Sequence, residues 1–282
     1  MGGLLGAALA RSGADVVLLL RPESLARYRG IVTVDSEVLG RFEVQVPSVS
    51  VLDREVDVVW VTPKATQLEQ ALALAPAEVV MAAYVIPLMN GVDHMAVLRA
   101  RYKRVLAGSI RVASVRGGDG RILQTSPFIR MDLAGDGADA VAVEVLAAGV
   151  DCHVGTDETS LLWQKLAFLA PLALATTAAD APLGGIRHDA VYTRAQAEVL
   201  AVAQAQGAHI DLVSLAALRA AAPDTMRSSM QHDVAQGRTP ELEAIAGPVL
   251  RGGRKHAIAT PAVNDLVARV RARAFPATAE RP

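Results

Sequence analysis

The sequence predicts an α/β protein in which a parallel sheet occupies the first half of the chain and helices occupy the second half. Up to about residue 155, short runs of β-branched residues and leucine alternate with helical segments. From about Thr156 onward, alanine and leucine recur at helical spacing. Strands that alternate with helices are connected by right-handed crossovers and form a parallel sheet. We therefore predict two domains, residues 1–155 and residues 156–282.

The first half contains the elements of such a sheet in alternating order. Gly2–Arg11 has apolar residues on one face and is followed by Ser12-Gly13, which predicts a helix that ends there. Uninterrupted apolar runs are typical of strands that are buried on both faces. The predicted strands are Val16–Leu20, Val56–Thr62, Val79–Leu88 and a further one between Val105 and Ile110, and the helices between them are Ala65–Ala75 and His94–Ala100.

Three polar residues follow three of these strands. Arg21 comes after the first strand, Lys64 after the second and Asn90 after the third. In open parallel sheets, ligands bind beyond the carboxyl ends of the strands. We therefore expect the three side chains to converge on one ligand crevice.

The second half reads as helices throughout. Leu166–Ala179 is free of charge but shorter than the roughly 20 residues that span a bilayer, so we expect a buried core helix. Further helices are predicted over Ala195–Ala205, Leu212–Ala222 and Asn264–Ala274.

Composition excludes several classes of protein. The formal net charge of −1 over 282 residues argues against a nucleic-acid binder, which usually carries a basic stripe. Cys152 is the single cysteine, so the chain has no internal disulfide and no cysteine-based zinc site. No His, Asp and Glu cluster has metal-ligand spacing. We expect a cytoplasmic protein with no metal, nucleic-acid or membrane partner.

The first helix begins where a dinucleotide-binding fold would have its phosphate loop. Such a fold starts with a strand, continues through a G-x-G-x-x-G turn and enters a helix whose amides face the pyrophosphate. Here the helix comes at once, with Gly2 and Gly3 at its start. We therefore expect the first strand and the first two glycines of the loop to lie upstream of Met1.

Several segments resemble, in order, those of the ketopantoate reductase (2-dehydropantoate 2-reductase) family. They are Met1-Gly2-Gly3-Leu4-Leu5-Gly6, Val61-Thr62-Pro63-Lys64-Ala65-Thr66-Gln67, Met89-Asn90-Gly91-Val92, Leu162-Trp163-Gln164-Lys165-Leu166, Ser228-Ser229-Met230-Gln231-His232-Asp233 and Glu241, followed by Ala259-Thr260-Pro261. The resemblance implies an N-terminally clipped Rossmann-type domain and an all-helical domain of the 6-phosphogluconate-dehydrogenase-like type. It also implies an enzyme of pantothenate biosynthesis that reduces ketopantoate to pantoate.

The resemblance implies NADPH as the cofactor. Arg21 and Lys64 would recognise its 2′-phosphate, and a cation after the second strand of the fold suits a phosphate. Glu23 follows closely, so the choice between NADPH and NADH stays open at this point. The remaining cofactor-binding residues that the resemblance implies are Gly2, Gly3, Gln67 and Asn90.

The resemblance also assigns the catalytic and substrate-binding residues. Lys165 would be the general acid, because an ammonium near the carbonyl oxygen both donates a proton and stabilises the developing charge. Glu241 would pair with Lys165 or bind the substrate hydroxyl. Ser229 would bind the substrate carboxylate, and Asn90 would also contact substrate. Each residue also has a purely structural alternative. Lys165 would be a surface lysine and Glu241 a solvated glutamate at a helix start, whereas Ser229 would be a helix N-cap and Asn90 part of an Asn-Gly turn.

Three departures from the family pattern bear on the substrate. Leu169, Ala173 and Leu183 stand where the family has asparagines. A site without those amides cannot select a hydroxylated substrate through them. A more apolar 2-oxo acid, a related hydroxy-acid dehydrogenase and a non-catalytic NADP(H)-binding paralogue therefore stay open. The predicted partners are a small 2-oxo acid and, as an open alternative, a second copy of the chain.

Overall fold

The computed structural model describes residues 1–276 and divides the chain into two compact units. The first unit consists of Met1–Met89 and His94–Leu161. The second consists of Asn90–Asp93 and the chain from Leu162 onward. The predicted domain boundary at residues 155/156 lies just before the helix in which the units divide.

The first unit contains short strands and helices in alternation. Its helices are α1 (Gly2–Arg11), α2 (Pro22–Leu25), α3 (Leu68–Leu72), α4 (His94–Arg101) and α5 (Ala138–Ala147), with a 3₁₀ turn at Ala65–Gln67. Its strands are β1 (Leu18–Leu19), β2 (Ile31–Ser36), β3 (Gly40–Gln45), β4 (Ser48–Val49), β5 (Val58–Val61), β6 (Tyr84–Pro87), β7 (Ala107–Arg111), β8 (Ser114–Arg116), β9 (Ile122–Gln124), β10 (Arg130–Ala134) and β11 (Asp151–Gly155).

The parallel pairing that the sequence predicts is present. Strand β1 pairs with β4, β5 with β6 and β10 with β11, each in parallel. The chain just before β7 joins the same arrangement through a parallel bridge between Val85 and Val105. Strand β7 itself runs antiparallel to β10. The fold is therefore the predicted α/β class with a Rossmann-like parallel sheet and an antiparallel addition.

Two predicted strands are shorter than expected. The run Val16–Leu20 has strand pairing only at Leu18–Leu19, and both residues are half-buried rather than buried on both faces. Within residues 1–276, β1 has one strand neighbour, β4, so only one of its edges is hydrogen-bonded. In the run Val79–Leu88, residues 79–83 form turns after Pro76, and the strand is confined to β6. An apolar run thus indicates that this part of the chain is buried, but it does not show where the strand begins or ends.

An antiparallel ribbon was not predicted at all. Strands β2 and β3 pair antiparallel, β9 joins β2 in parallel, and β8 joins β9 antiparallel. The signal for it was present, because β2 alternates between buried and more exposed residues, and Gly40 at a φ of 73° follows the hairpin turn. Alternation of that kind is typical of a strand with one solvated face.

The second unit is built from helices throughout its described residues. It contains most of α6 (Glu158–Ala179), followed by α7 (Leu183–Ile186), α8 (Ala190–Ala205), α9 (Leu212–Ala221), α10 (Ser229–Ala235), α11 (Leu242–Lys255) and α12 (Pro261–Ala274). By length and composition alone, α6 could cross a membrane, but 72% of its most apolar window is buried inside the protein. Burial of that extent is typical of a core helix, as the sequence predicts.

Cys152 is a buried thiol on β11, in the core of the first unit. Burial, together with the nearby carboxylates of Asp132 and Asp151, raises the pKa of this thiol to about 11. The thiolate is the nucleophilic form of cysteine, so a thiol held protonated is inert.

We expect the Cys152 thiol to make stability depend on pH in the alkaline range. The unfolded thiol ionises near pH 8.5, whereas the folded one keeps its proton up to about pH 11. The free energy of unfolding should therefore fall as pH rises through this window. Denaturant titrations of the wild type and Cys152→Ala between pH 8 and 11 measure the difference. If the free energy of unfolding changed with pH equally in the two proteins, the Cys152 thiol would not be the cause of the pH dependence.

Candidate functional site

The first helix packs tightly against β1, β9 and the end of β5 in the first unit. A Cβ atom on Gly2 would overlap the Thr62 side chain just after β5, and one on Gly3 would lie 2.8 Å from Ile122 Cδ1. On the next turn, a Cβ on Gly6 would lie 3.1 Å from Leu18 Cδ2 of β1. Glycine is thus needed for this close approach. The N-terminus of α1 consequently lies at the carboxyl end of β5.

The two predicted cofactor-binding cations lie in the first unit, each after a parallel strand. Arg21 is exposed and occupies the N-cap position of α2, directly after β1. Lys64 is half-buried and occupies the N-cap position of the 3₁₀ turn after β5. Gln67, also half-buried, ends that turn, and its backbone N–H donates to the Lys64 carbonyl at 2.8 Å.

These residues fit a dinucleotide phosphate by type and by position. The first amides of α1 have no intrahelical partner, and such helix starts attract anions. Thr62, which precedes Lys64 by two residues, lies against Gly2 of α1. The segment that carries Lys64 is therefore close to the start of the helix. The predicted cofactor residues Gly2, Gly3, Arg21, Lys64 and Gln67 therefore belong to one unit.

Asn90, the sixth predicted cofactor residue, belongs to the second unit instead. Its side-chain Nδ2 donates a hydrogen bond of 3.2 Å to Glu241 Oε2, which lies 151 residues away in the sequence. Asn90 is half-buried, and Glu241 is only 8% exposed. The contact brings together two of the residues that the sequence analysis assigned to substrate.

Glu241 is not a solvated glutamate at a helix start, which was the structural alternative. It occupies the N-cap position of α11, but its side chain makes no capping hydrogen bond to that helix. A carboxylate is costly to bury unless hydrogen bonds stabilise it. Glu241 is thus a buried carboxylate that accepts a hydrogen bond from Asn90 and does not cap its own helix.

The turn that carries Asn90 is held closely against α11. Gly91 has a φ of 89°, and a Cβ on it would overlap the Ala244 carbonyl group. Arg251 of α11 forms ion pairs with Asp93 of this turn and with Glu243. Sequence reasoning missed Gly91, Asp93 and Arg251 as positioning residues, although the Asn-Gly pair signals a tight turn.

Lys165, the predicted general acid, lies in the second turn of the core helix α6. It is half-buried, between Trp163 and Leu166, which pack in the core of the second unit. Its neighbour Gln164 exchanges two hydrogen bonds with the backbone of Asp211. This packing and these two hydrogen bonds hold the part of α6 that carries the lysine. Lys165 and Glu241 thus belong to the same unit.

Ser229, the predicted carboxylate ligand, is exposed at the first residue of α10. The N-cap is Ser228, whose hydroxyl accepts a hydrogen bond from the Gln231 N–H at 3.1 Å. The N-cap alternative for Ser229 is therefore wrong. In the same helix, Asp233 is buried and pairs with Arg238 at 2.8 Å, as expected of a structural residue.

The three positions that lack the family's asparagines hold apolar residues that are buried to different extents. Leu169 is half-buried on α6, one turn after Lys165, and packs against the core of the second unit. Ala173, one turn further, is fully buried in that core, and so is Leu183. Within residues 1–276, no group of three or more His, Cys, Asp or Glu side chains is arranged to hold a metal ion.

Two family models match the chain, one for each half. The model described as "Ketopantoate reductase PanE/ApbA" matches residues 1–131. The model described as "Ketopantoate reductase PanE/ApbA C terminal" matches residues 158–274. A curated relative, 2-dehydropantoate 2-reductase of Caulobacter vibrioides, is 33% identical over 231 residues, which are 78% of this chain and 78% of that protein.

Solved structures show the same fold over nearly the whole length. A ketopantoate reductase of the PanE/ApbA family from Ralstonia eutropha JMP134 has a TM-score of 0.82 and 24% identity, covering 96% of this chain and 94% of its own. D-mandelate dehydrogenase, solved with NADH and anilino(oxo)acetate, has a TM-score of 0.85 and 20% identity, covering 97% of this chain and 95% of its own.

Proposed function

Since the chain belongs to the ketopantoate reductase family of oxidoreductases, we propose that it reduces a 2-oxo acid to the 2-hydroxy acid with NADPH, and that 2-dehydropantoate is the preferred substrate. The relative from Caulobacter vibrioides is named for that reaction. Within the chain, the observation that carries the proposal is the buried Glu241 carboxylate held by Asn90. Burial of a carboxylate is costly unless it is hydrogen-bonded or paired, so its retention here supports a role at the site.

The proposed reaction divides between a hydride and a proton. When bound, NADPH supplies the hydride that adds to the carbonyl carbon of the substrate. Lys165 Nζ donates a proton to the carbonyl oxygen as negative charge develops on it, which completes the hydroxyl group. Glu241 binds the new hydroxyl or pairs with Lys165, Asn90 holds Glu241 in place, and Ser229 binds the substrate carboxylate.

The first unit would bind the cofactor. Gly2 and Gly3 let the start of α1 pack closely against Thr62 and Ile122, and the first amides of this helix would bind the pyrophosphate. Gln67 follows Lys64 in the turn after β5. Arg21 and Lys64 supply the positive charge that favours a 2′-phosphate. The similarity to D-mandelate dehydrogenase, which was solved with NADH, supports a reduced nicotinamide dinucleotide as the cofactor. The choice of NADPH is supported by the two cations alone.

Arg21→Ala should therefore separate the two cofactors. We expect the KM for NADPH to rise about tenfold or more, because a charge-assisted hydrogen bond to phosphate is lost. The KM for NADH, which has no 2′-phosphate, should change little. Arg27→Ala, an exposed arginine of the same region, is the control. An equal rise of both KM values would show that Arg21 does not recognise the 2′-phosphate.

A more apolar 2-oxo acid is the second candidate substrate. Leu169 and Ala173 present no hydrogen-bonding groups on α6 beyond Lys165. The likeness to D-mandelate dehydrogenase shows that this fold also serves a protein that binds an aryl-substituted oxo acid derivative. Apolar residues at these two positions would favour such a substrate only modestly, whereas the loss of hydrogen bonds there would weaken the binding of ketopantoate strongly.

One assay separates these proposals. NADPH oxidation is followed at 340 nm with ketopantoate, 2-oxoisovalerate, pyruvate and phenylglyoxylate as substrates. The highest kcat/KM with ketopantoate supports the first substrate, and the highest value with phenylglyoxylate or 2-oxoisovalerate supports the second. NADPH binding without oxidation of any substrate would instead favour the non-catalytic paralogue. A cytoplasmic location and a homodimer stay predictions, and light scattering after gel filtration tests the dimer.

A further inference from the structure

A half-open cavity of about 260 Å³ lies within the second unit. Three helices or their ends supply its lining, namely the end of α6, the outer face of α10 and the end of α12. The lining residues are Thr177, Asp180, Gln231, Val234, Ala235, Ala272, Arg273 and Pro276. None of Lys165, Glu241, Ser229 and Asn90 is among them.

Two side-chain atoms of the lining are buried without a hydrogen-bond partner. They are Thr177 Oγ1 and Gln231 Oε1, on residues that are 1% and 2% exposed. Polar atoms buried without a partner are rare in folded proteins, and each calls for an explanation such as a ligand or water. Two of them on one cavity point to an occupant that hydrogen-bonds to both.

The orientation of the Gln231 amide is set by its surroundings. Its Nε2 donates to Asp180 Oδ1 at 3.3 Å. The flipped amide would place Oε1 against a carboxylate oxygen, which repels it, so Oε1 is the atom left over. An occupant must therefore present a donor to Gln231.

Thr177 likewise differs from its neighbour on α6. Thr176 donates to the Leu172 carbonyl at 2.8 Å and shares a second contact of 2.9 Å with Ser228. A threonine inside a helix commonly bonds to a carbonyl one turn earlier in this way. The hydroxyl of Thr177 makes no such bond and is buried without a hydrogen-bond partner.

Asp180 of the cavity lining is approached by two arginines, Arg273 of the lining and Arg227 beside it. Asp180 pairs with Arg273 at 2.7 Å, and Arg227 approaches the same carboxylate at 4.0 Å. Two guanidinium groups thus share one carboxylate. Arginine binds carboxylates in a fixed planar geometry, so a ligand carboxylate would complete the charge balance.

We infer that this cavity is a second small-molecule site, which takes a small carboxylate that carries hydroxyl groups. Its carboxylate binds at Arg273, and its hydroxyls satisfy Gln231 Oε1 and Thr177 Oγ1. The aliphatic side of the ligand lies against Val234 and Ala235. The inference is independent of the proposed reductase activity, because it rests on different residues.

Binding of three related probes by the full chain tests the inference. Gluconate has a carboxylate and hydroxyls, sorbitol has hydroxyls alone and hexanoate has a carboxylate alone. Saturation-transfer NMR and calorimetry should show gluconate binding at least about tenfold more tightly than either partial probe, because each lacks one set of hydrogen bonds. Equal affinities for all three, or no binding of gluconate, would overturn the inference.

Matched variants locate the bound probe. Arg273→Gln and Thr177→Val should each weaken gluconate binding, and Ala235→Leu should abolish it by filling the cavity. Arg269→Gln is the control, since Arg269 lies one turn earlier on α12, is 43% exposed against 41% for Arg273 and also pairs with an aspartate. Ser229→Ala tests the proposed catalytic site as the alternative location. Loss of binding in Ser229→Ala with full binding in Thr177→Val would overturn the inference, and thermal melts confirm that each variant is folded.

Discussion

Replacing Lys165 with alanine is expected to lower kcat about a thousandfold, because the general acid and its charge both disappear. Binding of NADPH should change little, since five of the six proposed cofactor residues belong to the other unit. Lys165 is half-buried on a helix whose neighbours pack in the core, so truncation of its side chain should leave α6 intact. Stopped-flow measurement of NADPH oxidation at saturating substrate gives the chemical step.

Two further measurements distinguish loss of an acid from loss of structure. Lys255→Ala removes an exposed lysine from α11 in the same unit and should leave kcat within twofold of the wild type. Added methylamine should partly restore Lys165→Ala by replacing the missing ammonium group. Full activity in Lys165→Ala would show that the proton comes from another group.

Gly91→Ala should destabilise the second unit by about 3 kcal/mol, the sum of a strained left-handed backbone and an overlap with the Ala244 carbonyl. The overlapping atoms belong to the backbone of α11, which cannot rotate away as a side chain could. The turn would have to move, and Asn90 would lose its hydrogen bond to Glu241. We therefore expect a lower midpoint in urea together with a lower kcat.

Gly207→Ala is the matched control for Gly91. Gly207 has a φ of 86° against 89° for Gly91, but a Cβ on it would meet nothing within 4 Å. This variant should lose about 1 kcal/mol from the left-handed conformation alone. Similar losses for the two variants would mean that the contact with Ala244 adds nothing.

The buried elements of the fold were predictable because their apolar patterns depend on local sequence. Helix α1, the strands before Lys64 and Asn90, and the core helix α6 were all identified in the right places. Strand ends were not, because an apolar run such as residues 79–88 continues through turns that are also buried. The ribbon of β2 and β3 was missed because its alternating, half-solvated strands give a weaker pattern than a continuous apolar run.

The sequence predicts the candidate site residues but not the contacts that hold them. Lys165, Glu241 and Asn90 stand out through the family resemblance, and the Asn90–Glu241 hydrogen bond joins two of them. Their environment depends on contacts between distant parts of the chain, such as Arg251 with Asp93. No local sequence pattern predicts such an ion pair. The burial of Glu241 could not be read from its sequence neighbours either, since Thr239-Pro240 is typical of an ordinary helix start.

The four residues Asn90–Asp93 belong to the second unit although the chain on both sides belongs to the first. On the ribosome, this turn is synthesised about 150 residues before its partner Glu241. Domains usually fold one after another during synthesis, but the second unit must wait for its own completion before it can capture the turn. A gene fragment that starts at α6 would therefore encode a helical unit without Asn90 and Asp93. Expressed alone, that fragment is expected to leave Glu241 without its hydrogen bond from Asn90.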